Sequence, residues 1–364
     1  MTNSKMERIS ITQVAQAANV SIQTVSRVIN EQTGVSLATR ERILKVIEDM
    51  GYFPSRAAKA MRGASRTLGI VGYGLDLYGP SRTLVGAQRE AHKNGYGVVL
   101  ELVEDPEDFN IRAIFESMLS NHVDGILWCI PHIGQNVDQV VQYLEKISVP
   151  VLFTDTADSL HDLSVINNNY LGGKLATEHL MASKPAGVAL ITGPMSYFSA
   201  RERYRGWQEA LQHSGLPCDD SWMVEGSWSA PSGAEALKIL IQRHPDLSAV
   251  FASNDQMALG VLYAAEELDR VVPHDLAVVG YDDIPEAAFF HPALTSIHQD
   301  VVNLGAAAVS QMIRVIESLA IKGSYVSEVM WLEPKLVIRA SSLPSERIER
   351  GQSVSHSMKG VAAN

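Results

Sequence analysis

Residues 10–30 read SITQVAQAANVSIQTVSRVIN and contain two short amphipathic patterns separated by a break. In the first, Ser10 is followed three residues later by Gln13, which is the spacing of a capping box at the start of a helix. Apolar residues then recur at helical spacing until Asn19, and Ser21 is a suitable N-cap for a second helix. Two helices of about eight residues joined by a tight turn are typical of a helix-turn-helix unit.

A third helix is predicted after a turn at Gly34, with Ser36 as its N-cap and Gly51 at its end. The apolar residues expected on its buried face are Leu37, Ile43, Val46, Ile47 and Met50. Residues 1–53 are therefore predicted to form an all-α, helix-turn-helix DNA-binding domain.

The polar side of the second helix suits the major groove of double-stranded DNA. Gln23 can hydrogen-bond a base edge in two places, Arg27 can bind a guanine or a phosphate, and Ile22 can touch a thymine methyl. The DNA-binding residues expected in this domain are Ser21, Ile22, Gln23, Thr24, Arg27 and Ser36. A three-helix interaction module without a DNA partner is the alternative that the pattern leaves open.

Charge is distributed unevenly along the 364 residues. Residues 1–66 carry ten lysines and arginines against five acids, whereas the other 298 residues carry 20 against 36. A head of net charge +5 on a body of net charge −16 indicates that only the head meets a polyanion. A chance excess of surface lysines and arginines is the other interpretation.

The body is predicted to be α/β, because short apolar runs alternate with helical patterns in two sets. The runs are 67–73, 98–102, 124–130 and 149–154 in the first set, and 187–192, 248–253 and 276–281 in the second. Two sets predict two lobes, each with a parallel sheet. Ligands of open α/β sheets bind at the carboxyl ends of strands, so the cleft between the lobes is the expected site.

Polar and aromatic residues follow these runs and are the candidates for that site. Asp155, Asn254 and Asp282 come at or just after strand ends, Arg203 lies in a loop after LITGP, and Trp228 lies in EGSWSA. Carboxylates, an amide and a guanidinium around an aromatic ring suit a sugar, whose hydroxyls meet the polar groups and whose C–H face meets the ring.

Each of these candidates also has a structural interpretation. Asp282 with Asp283, and Asn254 with Asp255, can cap helices. Trp228 can be a core aromatic. Arg201, close to Arg203, can form a salt bridge between the lobes. Cys129 lies in a predicted strand and is expected to be a buried hydrophobe.

The segments ITQVAQAANVSIQTVSRVIN and VSLATRERILKVIEDMGYFPSRAAKAMRG closely resemble the head and hinge of the lac repressor family of bacterial transcription regulators. The resemblance continues in order through GPMSYFSARERYRGW, EGSWSAPSG, SNDQMALG, VVGYDDIP and HPALTSIHQD, and covers roughly residues 9–341. It implies a two-lobed body of the periplasmic-binding type, with doubly wound parallel sheets, over residues 67–341. Lobe 1 is expected at about 67–165 and 295–325, and lobe 2 at about 166–294 and 326–341.

The resemblance also assigns residues 54–66 to a hinge helix and linker. Alone, this alanine-rich basic segment is too short for a stable helix, so it is expected to fold on DNA; a plain linker is the other interpretation. The hinge residues expected to contact DNA are Arg56, Ala58, Lys59, Met61 and Arg62. Met61 stands where the family inserts a leucine into the minor groove, and methionine can also act as such a wedge.

For the effector, the resemblance places four sugar-hydroxyl contacts at Asp155, Arg203, Asn254 and Asp282, and a stacking ring at Trp228. It adds an apolar collar at Leu77, Gly79 and Pro80, and a polar contact at Gln299. Val301 and Asn167 stand where the pattern has phenylalanine, so the pocket is expected to be wider or more polar.

The predicted function is a sequence-specific repressor of sugar-utilisation genes, released from a palindromic operator by a small sugar. The alternative within the family is a regulator that senses a purine or another metabolite as corepressor. Paired carboxylates in a sugar cleft also resemble a glycosidase, and a periplasmic sugar-binding protein is a further rival. The latter would lack the basic head and require a signal sequence, which MTNSKMERISITQ does not resemble.

We expect no enzymatic activity, cofactor or metal, since the histidines show no paired metal spacing and no GxxxxGK[ST] motif occurs. No apolar run approaches a membrane span, so a cytoplasmic protein without a membrane partner is predicted. Residues 342–364 show no heptad seam and are expected to be a disordered tail, which predicts a homodimer.

Overall fold

The structure is a computed structural model that describes residues 9–29, 32–51, 65–133, 136–156 and 163–342. The chain divides into two compact units, Met1–Arg66 and Thr67–Asn364. The hinge residues Arg56, Ala58, Lys59, Met61 and Arg62 and the tail beyond residue 342 lie outside the described residues.

The described residues of the first unit form the helices α1 (Ile11–Ala17), α2 (Ile22–Ile29) and α3 (Leu37–Met50). The predicted capping box is confirmed: the Gln13 amide donates to Ser10 Oγ at 3.3 Å, and the Ser10 amide donates to Gln13 Oε1 at 2.7 Å. The predicted end of α3 is also confirmed, since Gly51 has a φ of 61°, the left-handed conformation that ends many helices.

The core of this unit joins all three helices through Val14, Ala18, Val25, Val28 and Ile43. The prediction that Leu37 belongs to this core is wrong, because its side chain is 79% exposed. Leu37 is the first residue of α3, directly after the cap Ser36, and the buried face of that helix is centred further along at Ile43.

In the part of the second unit that the structure describes, the strands form two six-stranded sheets, which confirms the predicted two-lobed α/β architecture. The strands are β1 (Thr67–Gly72), β2 (Gly97–Leu102), β3 (Gly125–Cys129), β4 (Val151–Thr154), β5 (Ser164–Asn167), β6 (Ala189–Thr192), β7 (Met223–Glu225), β8 (Ala249–Ala252), β9 (Ala277–Asp282), β10 (Thr295–His298), β11 (Val329–Leu332) and β12 (Lys335–Val337). The helices are α4 (Tyr78–Lys93), α5 (Ile111–Ser120), α6 (Asn136–Leu144), α7 (Asn169–Met181), α8 (Phe198–Ser214), α9 (Ala230–Arg243), α10 (Asp255–Glu267) and α11 (Val301–Lys322). Two 3-10 turns lie at Asp220–Trp222 and Pro285–Phe289.

The strand order is β11-β5-β4-β3-β1-β2 in the first sheet and β12-β10-β9-β8-β6-β7 in the second. The pairs are parallel except β10 with β12. Parallel strands covered on both faces are almost entirely apolar, which explains why six of them, β1, β3, β4, β6, β8 and β9, were visible as short hydrophobic runs. The seventh predicted run, β2, is an edge strand with exposed leucines.

The lobe boundaries differ from the predicted ones at all three crossings. β5 remains in the first sheet to Asn167, β10 pairs in the second sheet although residues 295–298 were assigned to lobe 1, and β11 pairs in the first sheet although residues 329–332 were assigned to lobe 2. The chain therefore crosses between β5 and α7, between β10 and α11, and between β11 and β12.

Among the described residues, α11 is long and apolar enough by length and composition to cross a membrane. This corrects the prediction that no apolar run approaches the length of a membrane span. Its packing accounts for that composition. Leu304, Ala308 and Met312 are buried with Leu68 and Leu127 in the core of lobe 1. The apolar face of α11 therefore belongs to that core.

Candidate functional site

A cavity of about 250 Å³ lies between the two lobes, at the carboxyl ends of their strands. The nine residues predicted for the effector all lie on its wall: Leu77, Gly79, Pro80, Asp155, Arg203, Trp228, Asn254, Asp282 and Gln299. They come from segments more than 200 positions apart in the chain. The sheet topology therefore brings the whole predicted set to one place.

Asp155 and Asp282 face the cavity from opposite lobes, and both have a positive φ, 51° and 107° respectively. Non-glycine residues in that region of backbone space are uncommon and concentrate at functional sites. Asp155 Oδ1 accepts the amide of Asn167 at 2.9 Å, and Asp282 Oδ1 accepts Gln299 Nε2 at 2.5 Å. Each carboxylate is thus oriented by a hydrogen bond, from Asn167 at the end of β5 for Asp155 and from Gln299 directly after β10 for Asp282.

Burial has the largest effect on the pKa values of these two acids. It raises the pKa of Asp282 to about 6, against the opposing effects of the Arg203 charge and the Gln299 hydrogen bond. Burial also raises the pKa of Asp155, opposed by the hydrogen bond from Asn167 and by the Arg203 charge. Taking a carboxylate out of water disfavours its ionised form, so the burial of these two acids has a cost in free energy that a hydrogen-bonding ligand can offset.

Arg203 is the fixed cation of the cavity, and it lies on helix α8 rather than in the predicted loop. Its Nε donates to Asn169 Oδ1 at 2.9 Å, and its Nη1 donates to the carbonyl oxygen of Ser253. The guanidinium carbon lies 3.6 Å from the ring centroid of Tyr281 and 5.6 Å from that of Trp228. Arg203 is therefore held between hydrogen bonds on one edge and aromatic rings on its face.

The close approach of α7 and α8 is required to place Arg203. A Cβ at Gly173 would collide with the Arg203 carbonyl oxygen, and a Cβ at Gly206 would collide with the backbone of Tyr170. Glycine at these two positions lets the helix backbones touch, so that Asn169 reaches Arg203.

Trp228 and Asn254 combine structural and cavity-facing roles. Asn254 Oδ1 caps α10 by accepting the Met257 amide at 2.8 Å, and its Nδ2 donates to the Trp228 carbonyl oxygen at 2.9 Å. The helix-cap interpretation of Asn254 is thus correct, and the residue still lines the cavity. Trp228 has a φ of 62°, and its indole Nε1 is buried with no hydrogen-bond partner among the described residues.

Three of the other residues considered do not face the cavity. Asp255 is buried beneath it and accepts the Ser296 hydroxyl at 2.6 Å. Asp283 forms an ion pair with Arg339 at 2.7 Å. Arg201 donates to the carbonyl oxygens of Met195 and Ser196 in its own lobe, so the structure shows no salt bridge between lobes at this residue among those it describes.

Several aromatic residues on the wall were not predicted from the sequence: Tyr78, His132, Tyr197 and Phe198. Cys129 also contributes to the wall, and burial raises the pKa of its thiol to about 12. The sequence signal for Tyr78 was available, because it lies between the predicted residues Leu77 and Gly79.

The lobes touch directly beside the cavity. The Phe198 amide of lobe 2 donates to the His132 carbonyl oxygen of lobe 1 at 2.9 Å, and Ile133 and Tyr197 form an antiparallel bridge. The rings of His132 and Phe198 stack at 6.0 Å between centroids. A ligand in the cavity thus adjoins a direct contact between the two lobes.

In the first unit, α2 exposes the face predicted to contact DNA. Ile22, Gln23 and Arg27 are exposed, Thr24 is partly exposed, and Val25 is buried beneath them. Ser21 caps α2, accepting the Thr24 amide at 3.2 Å. Ser36 is exposed and caps α3 through the Thr39 amide at 3.3 Å.

A helix-turn-helix unit joined to a two-lobed α/β core with a polar cavity defines a ligand-responsive DNA-binding regulator. The comparisons with known proteins agree. Residues 10–55 match the family described as bacterial regulatory proteins, lacI family, and residues 177–342 match the periplasmic binding protein-like domain. The chain belongs to the lacI family.

Its relatives include repressors of different operons. The chain is 32% identical to the lactose operon repressor of Escherichia coli (strain K12) over 335 residues, which cover 92% of each protein. It is 33% identical to the ribose operon repressor of the same strain, over 90% of this chain and 98% of that one. It is 29% identical to the HTH-type transcriptional repressor PurR of Haemophilus influenzae (strain PittEE), over 91% and 98%. The chain is accordingly a transcriptional repressor of this family.

Solved structures show the same architecture. The lac repressor dimer bound to operator and the anti-inducer ONPF matches with a TM-score of 0.83 at 31% identity, over 93% of this chain and 100% of that one. The transcriptional regulator CelR in complex with cellobiose matches with a TM-score of 0.68 at 28% identity, over 92% and 100%.

Proposed function

We propose that this repressor binds a palindromic operator as a homodimer and that a small sugar between its lobes releases it from DNA. The observation that carries this proposal is the convergence of the nine predicted effector residues on one cavity. Their chemistry is that of a polyol site: carboxylate and amide groups for hydroxyls, beside an indole ring for a C–H face.

The cavity has specific groups to offer such a ligand. Trp228 and Asn254 line the cavity, so an aromatic side chain and an amide are available to a ligand. Asp155 and Asp282 can accept hydroxyl hydrogens when ionised. Arg203 is already oriented by Asn169 and Tyr281, so it loses little side-chain entropy on binding.

The ligand acts on DNA binding through the two lobes. Asp155, Leu77 and Pro80 belong to lobe 1, whereas Arg203 and Asp282 belong to lobe 2. A ligand held by both groups stabilises the lobe arrangement in which both reach it, and it shifts the equilibrium only by that differential affinity. Coupling of about 1–3 kcal/mol is usual for such systems.

A homodimer is supported by apolar surface on the second unit. Leu100 and Leu102 are 39% and 49% exposed on the edge strand β2, and Tyr263 and Phe289 are 59% and 80% exposed in lobe 2. Exposed apolar side chains, including those on an edge strand, favour an interaction surface. Two-fold symmetry of the protein would then be matched by a palindromic operator.

The sugar assignment is tested by calorimetry of the full-length protein against a panel of mono- and disaccharides and against hypoxanthine. We expect at least one sugar to bind and Arg203→Ala to abolish that binding while the protein remains folded. Hypoxanthine binding without any sugar binding would replace the sugar with a purine corepressor.

We also propose that the cavity binds its ligand without chemical change. Nitrophenyl glycosides incubated with the purified protein are expected to release no nitrophenol above the rate in buffer. Turnover that is lost in Asp282→Asn would instead indicate a glycosidase.

A further inference from the structure

The charged groups around the cavity restrict the charge that a sugar ligand can carry. Asp76, Asp155 and Asp282 line the cavity, and Arg203 carries the only guanidinium or ammonium group among the described lining residues. The segments 134–135 and 157–162, which are not described, contain no lysine or arginine in their sequence.

The one guanidinium is largely committed to the protein. Its Nε and Nη1 donate to Asn169 and to the Ser253 carbonyl oxygen, and its face covers the Tyr281 ring. A phosphate is best bound by a guanidinium that offers two parallel donors, but two of the three nitrogens of Arg203 already donate hydrogen bonds within the protein. Arg82, one helical turn beyond Tyr78 on α4, is not part of the wall.

Helix N-termini favour anions, and at three of those around this cavity one amide is already bonded within the protein, which leaves fewer donors for an anion. The Met257 amide of α10 is bonded to the Asn254 side chain, the Asn303 amide of α11 to Asp300, and the Phe198 amide of α8 to His132. The start of α4 is preceded by Asp76, whose charge opposes an anion there.

The surface beside the cavity also carries negatively charged side chains. A second groove shares Tyr197 with the cavity and is lined by Glu104, Asp105 and Glu107. An anionic ligand would therefore meet acids both beside the cavity and within it.

We propose that the effector is an uncharged polyol or glycoside and that the cavity rejects the phosphorylated form of the same sugar. This inference rests on the proposed sugar-binding function. A doubly charged phosphate near the carboxylates should weaken binding on the order of 100-fold in a partly buried site.

The test is calorimetry of the full-length protein at pH 7.5 with matched ligands. Glucose, galactose, mannose and ribose are each compared with their 6-phosphate, or the 5-phosphate for ribose, and each hexose also with its 6-O-methyl ether. For the sugar that binds, we expect the phosphate to bind on the order of 100-fold more weakly. The methyl ether should bind within about tenfold of the parent sugar, because it adds bulk without charge.

A charge variant separates electrostatic from steric exclusion. Asp76 is an exposed residue of the cavity wall, so Asp76→Asn should reduce the difference in affinity between the neutral sugar and its phosphate several-fold, whatever its effect on the neutral sugar itself. Asp246→Asn, at the opposite end of β8, should change neither value.

The outcomes are distinguishable. Equal or tighter binding of a phosphorylated sugar overturns this inference and leaves the proposed function standing, and its loss in Arg82→Ala would place an anion site at Arg82 instead. The electrostatic explanation is overturned if the methyl ether binds as weakly as the phosphate. It is also overturned if Asp76→Asn leaves the difference in affinity between the sugar and its phosphate unchanged. No binding by any sugar or sugar phosphate overturns the proposed function and this inference with it.

Discussion

Asp282→Asn removes a charge from the cavity while keeping the shape of the side chain. Asp282 is 7% exposed, and burial raises its pKa from the ordinary 3.8 to about 6. A folded-state pKa above the unfolded one means that the folded protein holds the proton more tightly. The contribution to stability is therefore present at low pH and is lost as pH rises through about 6.

The size of the effect follows from the shift in pKa. Two pKa units correspond to about 3 kcal/mol, so above pH 7 the ionised Asp282 should cost the ligand-free protein about that much. The asparagine carries no charge and can still accept the hydrogen bond from Gln299. We expect Asp282→Asn to raise the free energy of unfolding by up to about 3 kcal/mol at pH 7.5, and by only about 1 kcal/mol at pH 4.5.

The assay is urea unfolding of the ligand-free, full-length protein, followed by tryptophan fluorescence at both pH values. Asp246→Asn, on the exposed surface of the same lobe, serves as the control and should leave stability unchanged. A variant that is less stable than wild type at pH 7.5, or whose advantage is the same at pH 4.5, would refute the assignment of Asp282 as a charge buried at a cost. The same variant should lose its response to sugar.

Three further variants test other parts of the molecule. Gln23→Ala should relax base preference by about 1–3 kcal/mol in competition binding with random duplexes, whereas Gln16→Ala should not; an unaltered preference would mean that α2 does not read the bases. Gly173→Ala should lower the free energy of unfolding by about 1–3 kcal/mol, because the added methyl meets the Arg203 backbone, and urea unfolding as stable as wild type would contradict that packing. Leu102→Glu should yield monomers by light scattering where Val326→Glu, in an exposed loop, leaves the dimer intact; a Leu102→Glu dimer would move the interface elsewhere.

The buried parallel strands could be predicted from the sequence because burial on both faces leaves continuous apolar runs. The missed strands give a weaker signal, and β5, although buried, has only four residues, with Ser164 and Asn167 at its ends. β7 and β12 have three residues each, β11 is partly exposed, and β10 is the polar run Thr295–His298, whose Ser296 bonds the buried Asp255. Since β10 and β11 were missed, the crossings between the lobes were misplaced.

The site was predictable to a different degree. Its nine residues could be chosen because polar groups at strand ends converge in this topology and because the family motifs are specific. The residues that orient the site could not be chosen from the sequence. Asn169 and Tyr281 hold Arg203 in place and lie 34 and 78 positions away from it in the chain. The contact with Asn169 also requires the close packing of α7 against α8. Local patterns carry no information about such long-range contacts.

The central claim is that one ligand couples the cavity to DNA binding. The most direct measurement is fluorescence anisotropy of the full-length protein on a duplex selected from genomic footprinting, titrated with the sugar that binds by calorimetry. The dissociation constant for the duplex should rise about 5- to 150-fold at saturating sugar in wild type and stay constant in Arg203→Ala. An unchanged constant in wild type, or an equal rise in Arg203→Ala, would contradict the claim.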